Sequence, residues 1–274
     1  GYVKKLSAYI TRKVADRLTS LFTGERKTYE GYWNDIAPFV KYGCIRDAKF
    51  FEQVKDTLLF KSTKGEYFTL SEYISKNEAT VGKKVYYTND PKRQAASVKL
   101  YEDKGVDVVV LDALIDLNFV SFMEYSAGVE GLSFSRVDAD SETFQKDLTD
   151  DEKKALEADA EKLKSLFTEA TGNQQLTVKL QALQDAELPA MLLQDEQGRR
   201  FSEMGKIYGQ SFGMPETVTL VLNQQSPLVQ ALLAEDTEGK SDLAAQLYDL
   251  ARMSTRPLEN DEVTAFLKRS YALL

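Results

Sequence analysis

"KVYYTNDPKRQAASVKLYEDKGVDVVVL", Lys84 to Leu111, changes its hydrophobic period twice. KVYYT (84–88) is a short β run. NDPKRQAASVKLYEDKG reads as a helix, with Asp90 expected as N-cap, Pro91 as the first helical residue and Gly105 as the stop. VDVVVL (106–111) is a continuous apolar run, the pattern of a strand covered on both faces. Downstream, DLNFVSFMEYSA is helical and LSFSRVD is a further strand. Strand–helix–strand–helix–strand with short loops predicts parallel strands joined by right-handed crossovers, hence a small three-layer α/β module.

Upstream of this module the period is helical. Val3, Leu6, Ile10, Val14, Leu18 and Leu21 recur every three or four residues, predicting an amphipathic helix over 3–22 that ends near Gly24. KTYEGYWNDIAPFVKYG predicts a second helix, kinked or stopped near Pro38. Asp47 is a candidate cap for a third, with Phe50, Phe51, Val54, Leu58 and Leu59 facing inward. Thr69–Glu72 (TLSE) is a capping box.

Charge shifts at one place. Residues 1–137 carry 21 Lys and Arg against 18 Asp and Glu, and the remainder 14 against 25, so +3 gives way to −11. The polar stretch 138–150 is therefore expected as an acidic linker between domains at 1–137 and 151–274. In the second, Leu156, Ala160, Leu163 and Phe167 mark a helix. LTVKLQAL and PAMLLQD alternate as two strands expected to form a hairpin, and TVTLVLN is a third strand. Helices from Pro227, over 241–254 and from Asn260 close the chain. Two of them carry narrow one-sided stripes: Leu243, Leu247, Leu250 and Ala251, then Val263, Phe266, Leu267, Tyr271 and Leu274. The fold class is thus α/β and α+β, a helical segment plus parallel module followed by a mixed domain ending in helices.

Several chemistries are excluded or weakened. The chain has no histidine, which removes Ser-His-Asp and Cys-His catalysis and nearly all zinc hydrolase sites. Its single Cys44 forms no internal disulfide. Arg46 beside it would lower its pKa, although a lone cysteine after a helix is usually packing. No apolar run of membrane-spanning length and no signal-peptide pattern is present, and a cytoplasmic location is expected. The acidic half should repel nucleic acid. AEDTEGKS (234–241) nearly matches a phosphate-binding loop, but its first glycine is alanine and three acids lie inside it. The strand-to-helix loop at 89–91 has no glycine to admit a phosphate. Asp112 and Asp116 lie near a strand's carboxyl end, and helix capping accounts for both; Trp33 reads as core. No catalytic, cofactor or metal site is assigned.

RRFSEMGKIYGQSFGM (199–214) puts Phe201, Met204, Ile207, Tyr208 and Phe212 at helical spacing. Gly205 and Gly209 interrupt the run, each costing ~1 kcal/mol against alanine inside a helix. The stripe is either core or a loosely held binding surface.

Read in detail, YVKKLSAYITRKVADRL, YEGYWNDIAPFVKYGCIRDAKFFEQVKDTLLFKST and KVYYTND, in this order and spacing, resemble the heat-shock protein 90 family of chaperones, and its bacterial members in particular. SEMGKIYGQSFG and DLARMSTRPLENDEVTAFLKRSYALL extend the resemblance through the second half. It implies the rear of the family's middle domain (1–137) followed by its C-terminal dimerisation domain (151–274). The nucleotide domain and the catalytic arginine of the ATPase would lie upstream, so ATP and magnesium would belong to the full-length parent and not to this chain. The resemblance further implies a stress-response, protein-folding role. With the family's dimerisation domain in this half, the two one-sided stripes predict homodimerisation through Leu243, Leu247, Leu250, Val263, Phe266, Leu267 and Tyr271. Client contact falls to Phe201, Met204, Ile207 and Tyr208, with Phe119 on the helix after the second strand. Arg200 stands where some relatives carry a methionine, and Leu117-Asn118 where some carry an acidic residue and a tryptophan. Different-class alternatives are a small-ligand or nucleotide enzyme on the 84–137 module and an acidic scaffold that only dimerises.

Overall fold

The computed structural model describes residues 2–146, 148–209, 218–234 and 239–273. The chain divides into two compact units, one of residues 1–91 and 98–136, the other of residues 92–97 and 137–274.

The first unit opens with three helices, α1 (Tyr2–Gly24), α2 (Arg26–Arg46) and α3 (Ala48–Val54). Leu18, Leu21 and Phe22 of α1 pack on the core, whereas Val3, Leu6, Ile10 and Val14 stay exposed. The helix α2 does not stop at Pro38 but continues past it to Arg46. Proline forfeits one helical hydrogen bond at a cost of ~3 kcal/mol. Burial of Tyr29, Trp33, Ala37, Val40 and Cys44 along the same helix offsets it. Asp47 caps α3, accepting from the backbone N–H of Lys49 (2.9 Å) and Phe50 (3.2 Å). A two-residue hairpin, β1 (Phe60–Lys61) with β2 (Tyr67–Phe68), leads to α4 (Leu70–Val81). Thr69 and Glu72 close the capping box reciprocally at its start.

The parallel module follows: β3 (Lys84–Thr88), α5 (Ala95–Asp103), β4 (Val109–Val110), α6 (Asp116–Ser126) and β5 (Ser133–Arg136). The sheet order is β4-β3-β5, all parallel, with Tyr87 beside Val109 and Val85 beside Phe134. One expectation fails here. Asp90 and Pro91 do not start α5; residues 91–94 form turns first, and the Asp90 N–H donates to Thr88 Oγ1. Gly105 ends the segment at φ +75°, a conformation few other residues tolerate.

In the second unit the stretch 138–150 is more than a spacer. Asp138 and Phe144 are buried, Gln145 bridges Leu183, and Lys146 N–H donates to the Ala182 carbonyl at 2.9 Å. Then come α7 (Asp150–Thr171), β6 (Thr177–Gln181), β7 (Ala190–Gln194), α8 (Glu196–Ile207), β8 (Val218–Asn223), α9 (Pro227–Leu233), α10 (Lys240–Arg252) and α11 (Asn260–Leu273). The strands do not form the expected β6–β7 hairpin. β8 lies between them, parallel to β6 and antiparallel to β7. The reason lies in burial and in one side chain. Leu220, Val221 and Leu222 are fully covered, as a central strand requires, while β6 alternates exposed and buried. Asn223 at the end of β8 then ties the 182–189 connection. Its Oδ1 accepts from Leu183 N–H (3.1 Å), and its Nδ2 donates to the carbonyls of Asp185 (2.6 Å) and Leu188 (2.9 Å). α7 lies along β6, α10 along β7, and the two helices pack together.

Candidate functional site

The segment expected to be either core or binding surface lies mostly in α8. Asp195 caps it, accepting from Gly198 N–H at 2.6 Å. Its base is ionic. Arg199 and Arg200, only 5% and 4% exposed, both donate to Glu196 Oε1, at 2.8 and 2.6 Å, and Arg199 also donates to Glu203 Oε2 at 2.8 Å. The apolar side chains point elsewhere. Phe201 and Ile207 are each 44% exposed, Tyr208 is 65% exposed, and Met204 is half-buried. None of the four belongs to the core of the second unit. Gly205 is interior and buried, whereas Gly209 lies beyond the helix end at φ +68°. Only one of these two glycines therefore weakens the helix, and the other stops it. Phe212 lies outside the described residues.

Arg200 is a buried ionic partner here and projects no apolar surface. Phe119 is corrected more strongly. It is 1% exposed, with its ring between those of Phe60 and Phe122 and the Lys41 ammonium 5.4 Å from its centroid. A side chain so enclosed is core and offers a partner nothing.

The two closing helices differ from one another. Leu243 and Leu247 of α10 pack into the core of the second unit, while Leu250 is exposed. α11 buries no residue at all. Val263, Leu267 and Tyr271, spaced at four residues, face outward, with Phe266 half-buried and Tyr271 73% exposed. Polar contacts hold α11 to α10. Gln246 Nε2 donates to Ser270 Oγ (2.7 Å), Arg252 donates to Glu262 Oε1 (2.7 Å), and Arg269 pairs with Asp249. Arg256 adds a second bond to Glu262 Oε1 at 2.9 Å. Arg256 first, then the Glu259 N–H, with the charge of Arg252 added, push the Glu262 carboxyl pKa down to about 2.

The remaining candidates are structural. Burial pushes the Cys44 thiol up to about 12, with no contribution from Arg46, so this is not a reactive thiol. Asp116 accepts from Ala113 N–H at 3.0 Å and pairs with buried Lys41, which is more than helix capping. Trp33 is core. The near-match to a phosphate loop at 234–241 falls largely on 235–238, outside the described residues. Among the described residues no cluster of three metal-ligating side chains occurs, and no helix is long and apolar enough to cross a membrane. Sequence reasoning missed the ionic base of α8 and the clamp between α10 and α11. The spacings Glu196–Arg200, Arg199–Glu203 and Asp249–Arg252 are ion-pair spacings that would have indicated part of both.

The family described as "Hsp90 protein" matches residues 2–274, and the chain belongs to this heat-shock protein 90 family of chaperones. The chain is similar to the "Chaperone protein htpG" of Bacteroides fragilis (strain YCH46), 34% identical over 250 residues, which covers 85% of this chain and 36% of that protein. It is likewise similar to the "Chaperone protein HtpG" of Porphyromonas gingivalis (strain ATCC 33277), 32% identical over 281 residues, covering 95% and 40%. The chain thus spans well under half the length of these curated relatives.

Proposed function

We propose that this chain is the non-catalytic part of an ATP-dependent chaperone, presenting an apolar surface to unfolded or partly folded clients and pairing two copies of itself. The observation that carries the client reading is α8. Its buried Arg–Glu base fixes the helix, while Phe201, Ile207 and Tyr208 are exposed. Methionine at 204 adds a polarizable side chain that adapts to varied partners, and tyrosine keeps its hydroxyl wet while its ring makes contact. α11, with its open stripe of Val263, Leu267 and Tyr271, supports the pairing. In this reading ATP and magnesium act on the full-length parent, no cofactor is held here, and the location is cytoplasmic.

The test is binding of a chemically unfolded client by the chain, read by suppression of its aggregation. Replacing Phe201, Ile207 and Tyr208 by serine should weaken the effect about tenfold or more while moving Tm by less than ~2 °C, because none is core. A loss of more than ~3 kcal/mol of stability would mean that the stripe is packed. Unchanged client binding would sink the assignment.

A further inference from the structure

The helix α2 carries two stripes. One is buried: Tyr29, Trp33, Ala37, Val40 and Cys44. The other is open to water. Tyr32, Phe39 and Tyr42 are 54%, 78% and 56% exposed, and Asp35 and Arg46 on the same line are exposed as well. Positions 32, 35, 39, 42 and 46 step by three, four, three and four residues, the a/d seam of a coiled coil. Packing of the first unit accounts for the buried stripe and leaves the open one unexplained. A single exposed aromatic side chain is ordinary, but three in heptad register along one line of a helix form a contact surface.

The charges on the seam define what fits it. Asp35 and Arg46 have no ion-pair partner among the described residues. The point between residues 40 and 41 lies halfway between Asp35 and Arg46, and also halfway between Phe39 and Tyr42. Two copies of α2 laid antiparallel about that point therefore set Phe39 against Tyr42 and Asp35 against Arg46, each twice, as a two-fold axis requires. In a parallel pair Asp35 would face Asp35 and Arg46 would face Arg46, which repels. The seam is thus complementary to itself in one direction and one register.

We propose that α2 is a self-association seam, pairing antiparallel with the α2 of a second copy in the register that sets Phe39 on Tyr42 and Asp35 beside Arg46. The central rings supply the contact, and the flanking ion pairs fix direction and register more than affinity. The paired span from Asp35 to Arg46 is about 16 Å of helix. Such a span covers less than the ~800 Å² per partner of a standard interface, so the association is weak, with a Kd on the order of 100 μM. The proposal is independent of the α8 and α11 readings. Where α11 also pairs, two separate two-fold contacts per chain build species larger than a dimer at high concentration.

The test is disulfide trapping between Asp35→Cys and Arg46→Cys chains at about 200 μM, where a seam of this strength is largely paired. The native Cys44 is buried and stays silent. The two variants mixed should trap a covalent pair, with one Asp35–Arg46 contact still intact beside it. Each variant alone should trap about tenfold less, because like positions lie about 16 Å apart in this register, far beyond disulfide reach. Charge exchange gives a second reading. By sedimentation in the Leu267→Glu background, Asp35→Arg and Arg46→Asp should each weaken self-association about fivefold, and the two together should restore it to within about twofold. Positions 35 and 46 are exposed, and near-ultraviolet circular dichroism checks that the variants are folded. Trapping no faster in the mixture than in either variant alone would overturn the proposal, whatever α11 does. So would a double exchange as weak as the single ones, which would give the seam to a different macromolecule.

Discussion

Lys41 and Asp116 lie on α2 and α6, 75 residues apart in sequence, and both side chains are almost fully enclosed. An ion pair taken out of water is close to neutral in free energy, but a lone buried charge is costly. Asp116→Asn leaves the Lys41 ammonium without its counter-charge and should lower stability by ~3 kcal/mol in chemical denaturation. Lys41→Met combined with Asp116→Leu should recover to within ~1 kcal/mol of wild type; a double variant as unstable as the single one would show that the pair holds the helices by more than charge. Asn223 poses a second test. Its side chain makes four hydrogen bonds to the backbone around the 182–189 connection, counting Gln225 N–H at 3.0 Å. Asn223→Ala strands the buried Leu183 N–H and removes three part-buried bonds, and should cost ~2 kcal/mol, while an effect below ~1 kcal/mol would mean that water replaces them. Neither residue was legible as an anchor. Asp116 shows a capping pattern and Asn223 merely ends a strand; the partners that define them are fixed only by tertiary structure.

At the scale of elements, local signals were sound where the chemistry is local. The capping box at Thr69, the Asp47 cap and the parallel pairing of β3, β4 and β5 follow from residues within one turn or one crossover; the second capping box, at Thr149, was missed in a stretch read as linker. Pairing of β6, β7 and β8 was not legible, because a period of two says which face is buried and not which neighbour is paired. The α10–α11 clamp is an element-level device of the same non-local kind. Its Glu262 carboxyl is depressed to about 2 by Arg256 and the Glu259 N–H, against ~4.3 for an unfolded glutamate. A depressed carboxyl stabilises the fold at pH values above the unfolded pKa. That contribution fades as pH falls from about 4 towards 2. Glu262 is largely solvated, so the effect is modest and salt-sensitive. Protection of the α11 amides, taken as exchange relative to the intrinsic rate at each pH, should therefore fall modestly between about pH 4 and 2, and Glu262→Gln should show the lowered protection already at neutral pH. A wild-type protection profile flat across that window would dismiss the clamp.

For the whole molecule the open question is what covers α11. A 14-residue helix with no buried side chain gains little from packing within its own chain and is too short to be stable alone. Polar contacts fix its position on α10, and Val263, Leu267 and Tyr271 remain in water together with Leu250 of α10 and Met253 just beyond its end. A second copy related by a two-fold axis would present the same stripe and could bury both, α10 and α11 of each chain making a four-helix arrangement. The sequence stripes pointed to these helices but merged two roles, since Leu247 is core and Leu267 is surface. The two leucines consequently make a paired test. Leu267→Glu should leave Tm nearly unchanged yet convert a dimer to monomer by light scattering at micromolar concentration, because a glutamate there would be desolvated only in the dimer. Leu247→Glu buries a charge within one chain and should unfold the second unit by several kcal/mol whatever its oligomeric state. Wild-type chain that scatters as a monomer at micromolar concentration would refute pairing through α11, and Leu267→Glu that remains dimeric would move the interface elsewhere.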